Sequence, residues 1–386
     1  MIGRQPNPYR PGFNQAPTEL AGREPVLAAA REALDIAALD ARTPRPLVLV
    51  GSRGVGKTVV LGEIAAIAAE AYSWLTVAVE IRPNTPFTGP LVQRLRAARD
   101  LFDQVEPGRG LEVTEAKVRA NVFGLGGEVT ITKDQIGHEP PLPLDAALSA
   151  ACAAALARNS GLVLTIDELQ LAKREELADL AATLQEHIPD RWPLVIAVAG
   201  LPTIRDPQRS VTYLERGEWH ELGLLDYSET LQALTAPAKA AGRPFTADGA
   251  PPLAEASGGY PYAIQVLGHH AWRASAGSDQ ITEEHSARAD TAGQQDLAAG
   301  LYAARWHDAS PKEREYLQTL ARLTISLGDV TGGDIAAHLV RPPSAVSYLR
   351  DRLLKKGTLF TAGRYLRFPI PGMATWITSQ DFVQDQ

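Results

Sequence analysis

Apolar positions along the first two-thirds of the chain switch repeatedly between two periods. Leu47–Val50 is a short, wholly apolar run, which suits a strand buried on both faces of a parallel sheet. Trp74 to Ile81, Leu162 to Glu168, Pro193 to Ala199 and His220 to Leu225 read as further strands. Between them, helical spacing predicts an alanine-rich helix ending near Leu39, then helices from Lys57 to about Ala71, Leu91 to Phe102, Leu144 to Arg158, Arg174 to His187 and Ser210 to Arg216. Five strand–helix alternations predict an α/β core whose five-stranded, mainly parallel sheet is covered on both faces. Residues 105–141 interrupt that rhythm. There Val118 to Phe123 and Glu128 to Thr132 flank Gly124-Leu125-Gly126-Gly127, the pattern of a glycine-turned hairpin.

From Ser228 to Ala274 the pattern is helical throughout, as in a lid that follows an α/β core. A connecting helix is predicted over 279–309, with Gly293 as an irregularity. Three more helices follow, Lys312 to Leu323, Thr331 to Leu339 with Thr331 as cap, and Ser344 to Lys356 closed by Gly357. Thr358 to Phe360 and Tyr365 to Phe368 then pair around Ala362-Gly363. Helix, helix-turn-helix and hairpin together make a winged-helix plan. Residues 1–19, rich in Pro, Asn and Gln, predict an extended arm. Its Tyr9 and Phe13 either stay unpacked or dock on the core or a neighbouring subunit. The resulting division is arm 1–19, core 20–225 with the insertion at about 105–141, lid 226–278, connecting helix 279–309, winged helix 310–378 and tail 379–386.

Composition narrows the class only a little. Hydrophobic content of 45% and charged content of 22% are ordinary for a soluble globular chain. A single cysteine, Cys152, rules out an internal disulfide and a cysteine-built zinc site. Met1 to Pro6 lacks the apolar core of a signal peptide, and no uncharged run approaches the ~20 apolar residues of a membrane helix. The expectation is a cytoplasmic protein without a membrane partner. Charge is uneven: residues 1–309 hold 28 basic against 38 acidic residues, and residues 310–386 hold 10 against 7. Between Arg341 and Arg367 seven basic residues face Asp351 alone, so the C-terminal module is basic on an acidic body.

The strongest chemical signal is Gly51-Ser52-Arg53-Gly54-Val55-Gly56-Lys57-Thr58, a full match to G-x-x-x-x-G-K-[ST]. A strand precedes it and a helix follows, as the motif requires. Glycines let backbone N–H groups close around phosphate oxygens, Lys57 places a point charge on the β- and γ-phosphates, and Thr58 offers a hydroxyl to Mg²⁺. Asp167 and Glu168 end the third strand. With a phosphate loop upstream, Asp167 is the candidate to hold the metal through water and Glu168 the candidate general base. Arg205, Arg209 and Arg216 are candidate arginine fingers, in cis or on a neighbour, with Arg216 favoured because it closes a helix just before the fifth strand.

Gly22-Arg23-Glu24, the phosphate loop, Ile166-Asp167-Glu168 and Ala199-Gly200-Leu201-Pro202 together resemble the AAA+/STAND P-loop ATPases, over roughly residues 20–275. The similarity is closest to the bacterial and archaeal branch related to origin-recognition ATPases. Gly258-Gly259-Tyr260-Pro261-Tyr262 resembles the Gly-x-Pro motif of STAND proteins. The resemblance implies that Ala21, Gly22 and Arg23 line an adenine pocket, that Pro261 packs near the base, and that lid and core close over ATP or ADP. Origin-recognition members carry a lid arginine where Gly259-Tyr260-Pro261 stands here, which favours a slow switch over a ring-type motor.

For the winged helix, double-stranded DNA is the expected partner, with Arg341, Ser347, Tyr348, Arg350, Arg352 and Arg364 as candidate contacts. STAND proteins also use such domains as internal packing parts. The sequence therefore supports an ATP-binding, ATP-hydrolysing switch acting on DNA. A signalling scaffold with a protein or self partner, or a nucleotide-binding module without useful turnover, remains as an alternative.

Overall fold

The computed structural model describes residues 6–12, 15–40, 42–104, 142–187, 191–206 and 211–380. The insertion hairpin at 105–141, Phe13, Arg209 and the last six residues lie outside that set. Strand β1 (Leu47–Val50) has no side chain more than 1% exposed, as its sequence requires. Around it stand β2 (Leu75–Glu80), β3 (Leu162–Asp167), β4 (Leu194–Gly200) and β5 (Glu218–Glu221), in the order β2-β3-β4-β1-β5. Every pairing is parallel. Parallel strands need crossovers, and helices α1 (Glu24–Ala38), α2 (Lys57–Tyr72), α3 (Thr88–Asp103), α4 (Leu144–Leu156), α5 (Arg174–Glu186) and the single turn α6 (Thr212–Glu215) cover the sheet. Helix α2 buries Val60, Leu61, Ile64, Ala65, Ile67 and Ala68, which explains its lack of a polar face.

The fifth strand differs from its expected span of His220 to Leu225. It is one of the two edge strands, half-covered, and it reads Glu218-Trp219-His220-Glu221 rather than as an apolar run. The apolar Leu222, Leu224 and Leu225 drew the expectation past its end, although the ladder closes at the bond from Leu222 N–H to Val50 O.

Among the described residues, 23–51 and 57–222 form one compact unit, and 1–22, 52–56 and 223–386 form another. The second begins its helices with α7 (Tyr227–Ala240), whose Asp226 and Glu229 form a reciprocal capping box. Helices α8 (Ala250–Ser257), α9 (Pro261–Ala274), α10 (Glu283–Leu297) and α11 (Ala303–Asp308) follow. The irregularity expected at Gly293 lies later, as a π-turn over Ala298–Tyr302. Gly293 instead faces α9, where a Cβ would stand 2.6 Å from Leu267.

The C-terminal module contains α12 (Pro311–Leu327), β6 (Val330–Thr331), α13 (Gly332–His338), α14 (Pro343–Lys355), β7 (Phe360–Ala362), β8 (Tyr365–Arg367) and α15 (Met373–Gln380). Its three strands form an antiparallel sheet in the order β6-β8-β7. Thr331 caps α13 as expected. Strand β6 and helix α15 are additions to the expected set. Tyr260, Val266, Leu297, Tyr302 and Trp306 share one core with Leu317, Leu353 and Met373, so the lid helices and this module pack as one body. The arm joins the same unit: Tyr9 is buried, its hydroxyl donates to Leu234 O, and its ring lies where Gly268 leaves room. Among the described residues no helix is long and apolar enough to cross a membrane.

Candidate nucleotide site

Sheet order decides where a ligand can be held. β1 lies between β4 and β5, and the chain from β1 crosses β4 and β3 to reach β2. The strand order therefore reverses at β1, and such reversals open a crevice at the carboxyl ends of the strands. The phosphate loop leaves β1 at that end, where Gly51 N–H donates to Gly200 O at 3.3 Å. Gly54 and Gly56 have φ of +80° and +92°, a conformation that a side chain would strain.

Lys57, at the start of α2, is only 7% exposed, and its ammonium donates to Gly51 O at 3.0 Å. Thr58 Oγ1 donates to Asp167 Oδ2 at 2.5 Å, joining the first turn of α2 to the end of β3. Burial raises the Asp167 carboxyl above its ordinary value; Thr58, the Glu168 amide and Lys57 pull the other way without cancelling it. Glu168 sits in the left-handed region, φ 56°, and its N–H donates to Asp167 Oδ1 at 2.7 Å. Lys57, Thr58, Asp167 and Glu168 are thus gathered at the carboxyl edge of the sheet.

Gln170 is the residue that sequence reasoning missed. Its amide nitrogen donates to Glu168 Oε2 at 2.6 Å, while its oxygen accepts from Leu201 N–H at 2.9 Å. It ties the base candidate to the end of β4, and only its place two residues after an acidic strand end hints at this. Gln170→Leu would leave the buried Leu201 N–H unpaired. A loss of about 1–3 kcal/mol in chemical denaturation is expected, where a surface Gln→Leu change would cost almost nothing.

Arg216 is not brought to this edge within the chain. It precedes β5, whose Glu218 pairs with Leu47 at the start of β1, while the phosphate loop follows Val50 at its end. A full strand length, roughly 13 Å at 3.3 Å per residue, separates the two ends. The reason is the parallel register, which the helix-then-strand pattern does not reveal. Arg205 does stand at the carboxyl edge, where it pairs with Glu221 at 3.4 Å and lies over the Trp219 ring.

Arg23 is buried at the start of α1. In the other unit, Gly22 has φ of +69° and a Cβ there would meet the Glu229 carboxylate at 2.6 Å. Ala21 is buried in the core that holds Leu225 and Leu234. Pro261 is the first residue of α9, and the Tyr260 hydroxyl before it donates to Arg53 O at 3.0 Å. A Cβ on Gly54 would stand 1.7 Å from that hydroxyl, so the loop glycine makes room for the tyrosine.

In the C-terminal module the candidate DNA contacts are spread over α14, the turn before it and the hairpin. Tyr348 is exposed, and Ser347 Oγ donates to Ser344 O at 3.3 Å. Arg341 pairs with Glu315 at 3.0 Å, Arg350 with Asp351 at 3.0 Å, and Arg364 donates to the Tyr365 hydroxyl at 2.9 Å. Arg352 Nε pairs at 3.1 Å with Glu313, a fully buried carboxylate, and so links α14 to α12.

Residues 299–377 match a domain of unknown function, DUF8462. Among curated proteins none matches the chain in sequence. In fold it resembles the Walker-type ATPase PABY2304 of Pyrococcus abyssi, with a TM-score of 0.60 and 15% identity, over 93% of this chain and 96% of that one. The Cdc6p of Pyrobaculum aerophilum aligns at a TM-score of 0.49 and 15% identity, over 96% and 97% of the two chains. The RuvB Holliday junction branch migration motor of Thermotoga maritima aligns at 0.46 and 16%, over 90% and 92%. Residues 19–197, which hold the phosphate loop, Asp167 and Glu168, match the AAA ATPase domain, and the chain has a P-loop NTPase fold.

Proposed function

We propose that the protein is a slow ATP-hydrolysing switch whose C-terminal module is a winged helix that binds double-stranded DNA. The observation that carries the ATPase half is the 2.5 Å contact between Thr58 Oγ1 and Asp167 Oδ2 beside a buried Lys57. Amides of residues 51–58 would hold the phosphates, with Lys57 on the β- and γ-groups. Two hard oxygen donors converging at one point suit Mg²⁺, so Thr58 and Asp167 would hold the metal, which neutralises phosphate charge when bound. Glu168 is assigned as the base that takes a proton from the attacking water. Slow turnover follows from its surroundings, because Gln170 already occupies one carboxylate oxygen. The arginine finger is assigned to Arg205, or to Arg216 of a neighbouring copy.

Glu168→Gln is expected to keep ATP affinity within about threefold and to slow phosphate release by about 10²–10⁴. Equal phosphate release by wild type and variant would leave a nucleotide-binding module without useful turnover. The module itself holds 11 basic against 6 acidic residues over 299–377, which favours an anionic partner. The pairs Arg341–Glu315, Arg352–Glu313 and Arg367–Asp329 favour the second reading, in which these cations pack the module internally or against a protein. Duplex affinity that falls steeply with salt decides for DNA; flat or absent binding decides for the scaffold.

A further inference from the structure

A cavity of about 280 Å³ opens where α14 begins, lined by Tyr316, Gly332, Gly333, Ser344, Ser347 and Arg350, with Pro343 and Val346 completing it. Helix α14 has 13 residues, no acidic residue in its first turn and no side chain capping its amides, so its positive end is left to whatever enters. Tyr316 supplies an independent observation. Its side chain is only 1% exposed, and among the described residues its hydroxyl meets no hydrogen-bond partner. That hydroxyl is aimed into the cavity: a Cβ built on Gly332 would stand 3.9 Å from it and 3.7 Å from Arg350 Nη1. Both polar groups thus border the space beside Gly332.

A hydroxyl that faces a cavity and has no protein partner can donate to a ligand seated there. Burial raises the Tyr316 pKa to about 12, so at neutral pH the group is a donor. A guanidinium, a phenolic O–H, serine hydroxyls and a helix N-terminus are the donor set of an oxyanion site. Arg350 Nε and Nη2 are held by Asp351 Oδ1 at 3.1 and 3.0 Å, which leaves Nη1 toward the cavity.

We propose that this cavity seats one backbone phosphate of duplex DNA, with Tyr316 Oη and Arg350 Nη1 donating to its oxygens at the N-terminus of α14. The proposal rests on the DNA reading of the module and names the contact through which it would act. Asp351 competes with the phosphate for Arg350, so its removal should strengthen binding.

The test is duplex binding by the full chain at several salt concentrations, with thermal melting of every variant as a folding check. Tyr316→Phe, which removes only the hydroxyl, is expected to weaken binding about three- to tenfold. Arg350→Gln is expected to weaken it about tenfold and to reduce the salt slope by about 1. Asp351→Asn is expected to tighten binding severalfold, a sign that a merely structural role would not produce. Wild-type binding that none of the three substitutions changes overturns the phosphate seat and leaves the DNA reading standing. Failure of the wild type to bind any duplex overturns both.

Discussion

Lys57→Ala is expected to bind ATP about 10²–10³ times more weakly than wild type while keeping its fold. Lys57 is 7% exposed as a residue, and its ammonium meets the Gly51 carbonyl at 3.0 Å. Its charge lies largely out of water, in the field of the Asp167 carboxyl, and a phosphate arriving at the loop would add opposite charge to it. Truncating one partner of such a desolvated pair costs about 3–5 kcal/mol, and every 1.4 kcal/mol is tenfold in affinity. Stability should change little, because Ala is the best helix former for the first position of α2 and the lost bond to Gly51 O is worth about 1 kcal/mol. Isothermal titration with ATP, alongside far-UV melting, checks both halves. Thr58→Ala removes a neutral hydroxyl and should lose less. A Lys57→Ala protein that binds ATP within threefold of wild type would show that these residues are not a nucleotide site.

The parts of the fold legible in the sequence are those where one residue pattern has one physical solution. Leu47–Val50 can only be a strand covered on both faces, and two glycines with positive φ before Lys57-Thr58 can only be a turn into a helix. Where burial is partial the pattern weakens. Strand β5, half-covered at the edge, was displaced by the leucines beyond it. The π-turn at Ala298–Tyr302 has no residue that marks it, whereas the conspicuous Gly293 serves close packing against Leu267. Gln170 is invisible because its partners, Glu168 and Leu201, stand on different strand ends that only the β3–β4 pairing brings together. The place of Arg216 within its own chain was illegible for a related reason: helix-then-strand order says nothing about which end of the sheet a residue occupies. Glu313 is the clearest case. It lies in Lys312-Glu313-Arg314-Glu315, which reads as a solvated run, yet it is fully buried.

That burial makes Glu313 the residue on which the C-terminal module should depend most. Its carboxylate accepts from Ser310 N–H at 2.7 Å as the reciprocal half of the α12 capping box. It also pairs with Lys356 at 3.0 Å and with Arg352 at 3.1 Å, joining the start of α12 to the end of α14. Glu313→Ala removes a cap and strands two cations together, and a loss of about 2–4 kcal/mol is expected from those two effects. Burial by itself would raise the carboxyl, but the Ser310 amide, Lys356 and the Ser310 hydroxyl outweigh it and hold the pKa below the ordinary 4.5. A depressed folded value means that the stabilisation is complete above 4.5 and is lost as pH falls below it. The wild-type module should therefore melt at a progressively lower temperature below that pH, and Glu313→Gln should flatten the step because it has no proton to take up. Near-UV circular dichroism of the Trp306–Trp376 pair, whose rings are 6.4 Å apart in this core, follows the module's melting within the whole chain. If Glu313→Ala melts with wild type at neutral pH, the carboxylate is not the clasp between α12 and α14, and Arg352 is released for the DNA contact that its sequence position suggests.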